Sequence, residues 1–531
     1  MTRGRLTLGL VLLVCLAAAA CGPKAVQRGP ATQYGGVWQG AINGEPSSLD
    51  PAFGVTVLDG ELMALVYNGL VRLDDRGEIV EDLAKGWKVS KDGLTYTFTL
   101  HRDVRFHSGR VLSADDVVYS FTRVLDPKEG SPRHWVFANI AGATAFRQGG
   151  VKPAGLKAVN AVTVQIALEK PDPLFLHRLC MPAAYVVDRK ELSRYQDAKA
   201  YALRPVGTGP FSLREYTPGD RLHFVANAGY FAGKPYLDGI VYRIAGSTFA
   251  AATEFELGNL HALVLPGVLY DRFAMDTRFQ AYMVKQQSLH VYYLAMNCEK
   301  PPFNDPRVRQ AVNYAIDRAK IVNDVIPGRA EVAAGPIPPW VPGHSASATG
   351  YAYDPVKARK LIIAAGYPKL FTVTLIQRDA ANFQYTRPIQ DMLHKIGIKV
   401  NIVPVDRTTY FSAVGDKGDF DLAWLSWAAD FPDPEAFLLP TFHSTYRGDA
   451  GNRARYRNAQ VDEVLDRLTV TAGAAERARL VKQAEEIISA DAPWVCMYYP
   501  VTWAVHQPEV MNYRLPVIYN GNKMTDVWLK K

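Results

Sequence analysis

Residues Leu6 to Ala20 form a run of 15 residues, nearly all apolar, preceded by Arg3 and Arg5. No other feature limits the folding of this chain as much. A spanning helix needs about 20 such residues, so the run is too short to cross a bilayer and reads as the apolar core of a secretory signal. No later apolar run reaches 18 residues. The remainder is therefore expected to fold in water, outside the cytoplasm. A chain of 531 residues has room for roughly three or four structural units whose cores need no disulfide staples. A composition of 48% hydrophobic and 21% charged residues excludes a disordered chain. The net charge of +8 is spread along the sequence without a Lys/Arg block, which argues against a nucleic-acid partner.

The apolar run ends Ala18-Ala19-Ala20-Cys21-Gly22. This resembles the lipobox of bacterial lipoproteins, whose cysteine is lipidated and becomes the new N-terminus, although the usual Leu is replaced here by Ala18. A plain signal peptide with an A-x-A cleavage site is the other reading. On the lipoprotein reading, residues 1–20 are the signal, Cys21 carries the lipid, and the Gly/Pro/polar residues up to 35 are a tether. Cys180, Cys298 and Cys496 can form at most one pair and read as small buried hydrophobes.

Along the body, Leu94 to Leu100 alternates apolar residues with Thr, the pattern of a half-buried strand. Ser113-Ala-Asp-Asp116 opens a helix with Val117, Phe121 and Val124 on one face. Asp305-Pro306 and Asp354-Pro355 open two more, and Arg477 to Ser489 is a fourth. Strands are expected at Val162–Leu168, Arg221–Ala226, Val241–Ala245, Val291–Met296, Phe371–Ile376, Lys399–Pro404 and Leu422–Trp427. The fold class is thus α/β, or mixed α+β.

Catalytic signatures fail on inspection. His101-Arg-Asp103 sits at a strand end with no Gly-rich loop before it. Gly229-Tyr-Phe-Ala-Gly233-Lys234 has the wrong spacing for a phosphate loop. His-Glu-x-x-His, Cys-x-x-Cys and Gly-x-Ser-x-Gly do not occur. Neither an enzyme, a metal site nor a cofactor is expected.

Several blocks together carry a resemblance. Val66-Tyr-Asn-Gly-Leu-Val71, Leu83-Ala-Lys-Gly-Trp87, Ser90 to Phe98, Val104-Arg-Phe-His107 and Ala114 to Ser120 come first. Gly207-Thr-Gly-Pro-Phe211, Pro302 to Ala311, Ala315-Ile-Asp-Arg318, Tyr353 to Tyr367 and Trp427 to Pro434 follow. In number, order and spacing they resemble the peptide/nickel-binding family of extracytoplasmic solute-binding proteins, which deliver solutes to ATP-binding-cassette importers. The resemblance implies a two-lobed periplasmic-binding-protein-like fold with a third domain and the ligand between the lobes. The expected boundaries are 36–66, 204–290 and 500–531 for domain I, 67–203 for domain II, and 291–499 for domain III. It implies a monomer whose partners are a short peptide, a membrane permease and, through lipid, a membrane. A nickel chelate, haem or an oligosaccharide is the alternative ligand, and a secreted hydrolase is a remote one.

Site residues follow on the same basis. Asp430 stands just past the apolar run Leu422 to Trp427, where it either faces a cleft or caps the helix that Pro432 and Asp433 begin. The resemblance implies that it pairs with a ligand α-ammonium. Trp427 is an apolar wall or plain core. The backbones of Ser426 and Ala428 resemble a strand edge that pairs with an extended peptide, and Gly54 and Val55 correspond to an opposite edge. Arg378 falls near a position where relatives hold a carboxylate, and is otherwise a solvated loop arginine.

Overall fold

The computed structural model describes residues 33–195, 197–344, 350–378, 380–518 and 520–531. The expected signal, Cys21 and most of the tether lie outside them. The strand expected at Leu94–Leu100 spans Thr95–Leu100 and buries Tyr96, Phe98 and Leu100. The helix after Ser113 spans Ala114–Leu125, and the Asp116 carboxylate accepts from the Ser113 backbone N–H at 2.9 Å. Asp305 and Asp354 cap Pro306–Ala315 and Pro355–Ala364, each with proline first. The apolar run near Asp430 is the strand Leu422–Ala428.

Three larger sheets organise the chain. Val37–Ile42, Gly239–Ile244, Arg221–Ala226 and Phe211–Thr217 form one, in that order, so its strands come from distant parts of the sequence. Ala84–Val89, Thr95–Leu100, Thr163–Ala167 and Leu156–Asn160 form the second. The third runs Ala262–Leu265, Trp494–His506, His290–Met296, Leu422–Ala428, Phe371–Gln377, Ile398–Pro404. It is buried on both faces: Val291, Tyr293 and Ala295 enter one core, Leu294 and Met296 another. That is why its strands read as continuous apolar runs rather than alternations.

The strand Trp494–His506 is 13 residues long and joins two regions. Trp494–Pro500 pairs with His290–Met296 and Ala330–Val332, whereas Val501–His506 pairs with Ala262–Leu265 and Met283–Gln287. It crosses the border expected between residues 499 and 500.

The body built on the third sheet touches the body built on the other two beside Asp430. The Phe431 ring lies 5.5 Å from His177. Pro432 packs on Gly77, where φ is +82° and a Cβ would come within 2.9 Å of Pro432 Cγ. The Asp50–Pro51 loop is pinned by a buried ion pair. Arg123 Nη1 and Nη2 donate to the two Asp50 carboxylate oxygens at 2.8 and 2.7 Å, with side-chain exposures of 5% and 0%. Cys180, Cys298 and Cys496 are free, and burial raises all three thiol pKa values.

Candidate functional site

Hydrogen bonds fix which way each residue of Leu422–Ala428 points. The Trp424 carbonyl accepts from the Tyr410 hydroxyl. The Ala429 N–H donates to the Leu289 carbonyl at 2.9 Å, next to the neighbouring strand His290–Met296. Alternate residues of a strand turn their main-chain groups to the same edge. Trp424, Ser426 and Ala428 therefore turn theirs away from His290–Met296. The strand Phe371–Gln377 covers that second edge only at Leu422 and Ala423. Among the described residues no strand pairs with Ser426 and Ala428 there, so the edge is open at these two residues.

Asp430 stands two residues beyond. It is exposed, yet protein encloses it on most sides, and this confinement raises its pKa while Arg133 lowers it. The capping role open to it falls to a neighbour. Asp433 accepts from the Glu435 N–H at 2.8 Å and pairs with Arg477 at 2.7 Å. Asp430 itself makes no hydrogen bond or ion pair among the described residues, which leaves its exposed carboxylate available to a ligand.

Trp427 is half-buried against the core, and its indole N–H donates to the Ala436 carbonyl at 2.9 Å. Its ring orientation is thereby fixed, and a ring face is what it can offer. Arg378 is exposed just past Phe371–Gln377, and its charge bears on the Tyr292 and Tyr410 hydroxyls. Arg378 stands two residues past Ile376, which pairs with Ala423, so it lies at the Trp424 end of the open edge and Asp430 beyond the other.

Gly54 and Val55 are engaged within the chain. Gly54 N–H donates to the Asp50 carbonyl at 2.9 Å, and Val55 N–H to the Asp59 carboxylate at 2.9 Å. Their carbonyls accept from Arg133 Nε at 3.2 Å and Nη2 at 2.9 Å. In this conformation they hold an arginine rather than present an open edge. Arg133 was not legible in the sequence. It lies in Gly130-Ser-Pro-Arg-His134, which has no periodicity, and only the fold brings it to Gly54. No group of three His, Cys, Asp or Glu residues is placed to hold a metal among the described residues.

A family model described as bacterial extracellular solute-binding proteins, family 5 middle, matches residues 78–449. Heme-binding protein A of Haemophilus influenzae is 33% identical over 468 residues, 84% of each chain. Glutathione-binding protein GsiB of Salmonella choleraesuis is 30% identical over 486 residues, covering 89% of this chain and 91% of its own. Among solved structures, the periplasmic binding protein DppA from Helicobacter pylori, in complex with the peptide STSA, superposes with a TM-score of 0.77 at 28% identity. It covers 94% of this chain and 99% of its own.

Proposed function

Because the chain belongs to the family 5 bacterial extracellular solute-binding proteins, we propose that it captures short peptides between its lobes and delivers them to the permease of an ATP-binding-cassette importer. One observation carries this reading: an open strand edge at Ser426 and Ala428, with a carboxylate beyond one end and a guanidinium near the other. An extended peptide pairs with such an edge through its own main chain, which holds any sequence, while its two termini are read by charge. The edge is short. Ser426 and Ala428 are about 7 Å apart at the usual rise of a strand, which suits about two or three ligand residues. The glutathione in the name of the Salmonella relative is a tripeptide and supports a ligand of this size, while the peptide STSA bound to the Helicobacter pylori relative is one residue longer. Asp430 takes the ligand ammonium, Arg378 its C-terminal carboxylate, and the Trp427 ring walls the space between.

Closure is a rotation of one body against the other about the strand Trp494–His506 and its neighbours, stabilised by contacts the ligand makes to both. The protein works outside the cytoplasm, held to a membrane by lipid on Cys21, and binds its ligand without hydrolysing it. Calorimetric titration with dialanine and trialanine, followed by small-angle scattering, tests the proposal. Binding with a fall in radius of gyration is expected. Absence of binding to either peptide, or turnover of the peptide by the purified protein, defeats it.

A further inference from the structure

A cavity of about 150 Å³ lies on one face of the sheet that begins with Val37–Ile42, and it shares no residue with the open edge at Ser426 and Ala428. Three elements wall it. Trp38, Gly40 and Ile42 alternate along their strand and so turn their buried positions to one face. Gly40 pairs with Tyr242 of the neighbouring strand. A Cβ at residue 40 would come within 2.6 Å of the Tyr242 ring and 2.9 Å of Trp38 Nε1, so the absence of a side chain there is what lets the two rings close over the strand. The segment after Trp494–His506 adds Tyr513, whose ring stacks on Trp38 with centroids 5.5 Å apart. The helix Val57–Val66 supplies Glu61 and Leu65, four residues apart on one face.

Two charged side chains line the cavity, Glu61 and Arg514. Arg514 is already held, by Asp75 at 2.9 Å and by Asp526. Glu61 makes no hydrogen bond or ion pair among the described residues, and neither do the Tyr242 and Tyr513 hydroxyls. Glu61 keeps access to water, yet protein surrounds it, and this confinement raises its pKa to about 7. One carboxylate without a counter-charge therefore stands among three aromatic rings. A metal ion would ask for several oxygen ligands where a single carboxylate is offered. A primary ammonium has three donors to satisfy, and most of these walls are rings and apolar side chains. A quaternary ammonium has no N–H group and is drawn both to a carboxylate and to the faces of Trp and Tyr. A cavity of about 150 Å³ holds a ligand of roughly benzene's size, which admits a trimethylammonium head and a short tail. We propose that this cavity binds a small quaternary ammonium of the choline class, with Glu61 as its counter-charge and Trp38, Tyr242 and Tyr513 as its walls. The site is separate from the proposed peptide site, so the cation does not compete with a peptide.

Choline and 3,3-dimethylbutan-1-ol test it, because the two share a shape and only choline is charged. Titrated into the full chain purified in an uncharged maltoside detergent, choline should bind at least about tenfold tighter than the alcohol. This comparison uses the unmodified protein, so it does not depend on a variant folding, and it stands whether or not a peptide binds. Glu61→Gln should weaken choline at least about tenfold and change trialanine affinity by no more than about threefold, as expected of separate sites. Equal binding of choline and the alcohol, or no choline binding at millimolar concentration, overturns the inference. So does a Glu61→Gln variant that melts like the unmodified protein and still binds choline as tightly. A variant that weakens choline and trialanine alike also counts against it, because Glu61 would then support the fold rather than a ligand. Competition between choline and trialanine on the unmodified protein overturns it as well, since choline would then sit at the peptide site.

Discussion

Replacing Asp430 with Asn should weaken peptide binding and leave the fold intact or slightly firmer. Truncating one partner of a buried charge pair typically costs about 2–5 kcal/mol, because the other charge is left unpaired. Asp430 is exposed to solvent, so the lower end applies. At about 1.4 kcal/mol per decade, a loss of about 2 kcal/mol is roughly thirtyfold in dissociation constant. Stability moves the other way. Confinement raises the pKa of Asp430 above its unfolded value, so the folded chain holds this proton more tightly than the unfolded chain does. That contribution is present at pH below the unfolded pKa and is lost as pH rises through the folded one, which makes the ionised carboxylate unfavourable to the ligand-free fold at neutral pH. Asparagine removes the charge, so the melting temperature at pH 7 should hold or rise. A helix cap would behave oppositely, with about 1 kcal/mol of stability lost and affinity unchanged. Titration with dialanine and N-acetyl-dialanine, beside thermal unfolding, reads both quantities. The unmodified protein should discriminate strongly against the acetylated peptide and the variant should not. Equal binding of the two peptides by the unmodified protein, or a lower melting temperature with affinity preserved, refutes the reasoning.

Other perturbations have distinct readouts. Asp50→Ala leaves Arg123 buried with only Glu129, 3.2 Å away and 37% exposed, as counter-charge; about 3–5 kcal/mol should be lost in urea unfolding, and a loss below about 1 kcal/mol would show the pair to be dispensable. Burial raises the pKa of Glu435 to about 7, against the pull of Arg477. Stability it contributes when protonated should fade as pH rises from about 4.5 through 7, on the order of 3 kcal/mol in all, and Glu435→Gln should flatten that part of the profile; an unchanged profile by calorimetry at several pH values would contradict it. Cys21→Ser should move the protein from the membrane to the soluble fraction, and unchanged pelleting would remove the lipid anchor.

The regular elements were legible because each carries a local signal. The Thr alternation in Thr95–Leu100 and the Asp-Pro starts of Pro306–Ala315 and Pro355–Ala364 need no partner to be recognised. Leu422–Ala428 was legible as an apolar run, and Asp430 as the acid after it. The roles of their neighbours were not. Asp433 rather than Asp430 caps the helix Glu435–Phe442, a choice made by loop geometry and by Arg477, which is 44 residues away. Arg133 and Gly54 meet where the Asp50–Arg123 pair and the Ser131–Ala52 hydrogen bond tie one loop to another. The strand Trp494–His506 was missed because its Pro500 reads as a break, yet that proline sits where the strand passes from one set of partners to the other.

The alternation along Leu422–Ala428 also bears on how such a protein changes over generations. On the proposed reading, the ligand is gripped at Ser426 and Ala428 by the peptide unit, which nearly every amino acid supplies equally; proline alone deletes the donor. Mutation at these positions therefore cannot easily abolish the grip, and selection on ligand choice is displaced to the few charged residues at either end. A lineage can acquire a new nutrient by replacing one arginine or one aspartate, with the central ladder carried along unaltered.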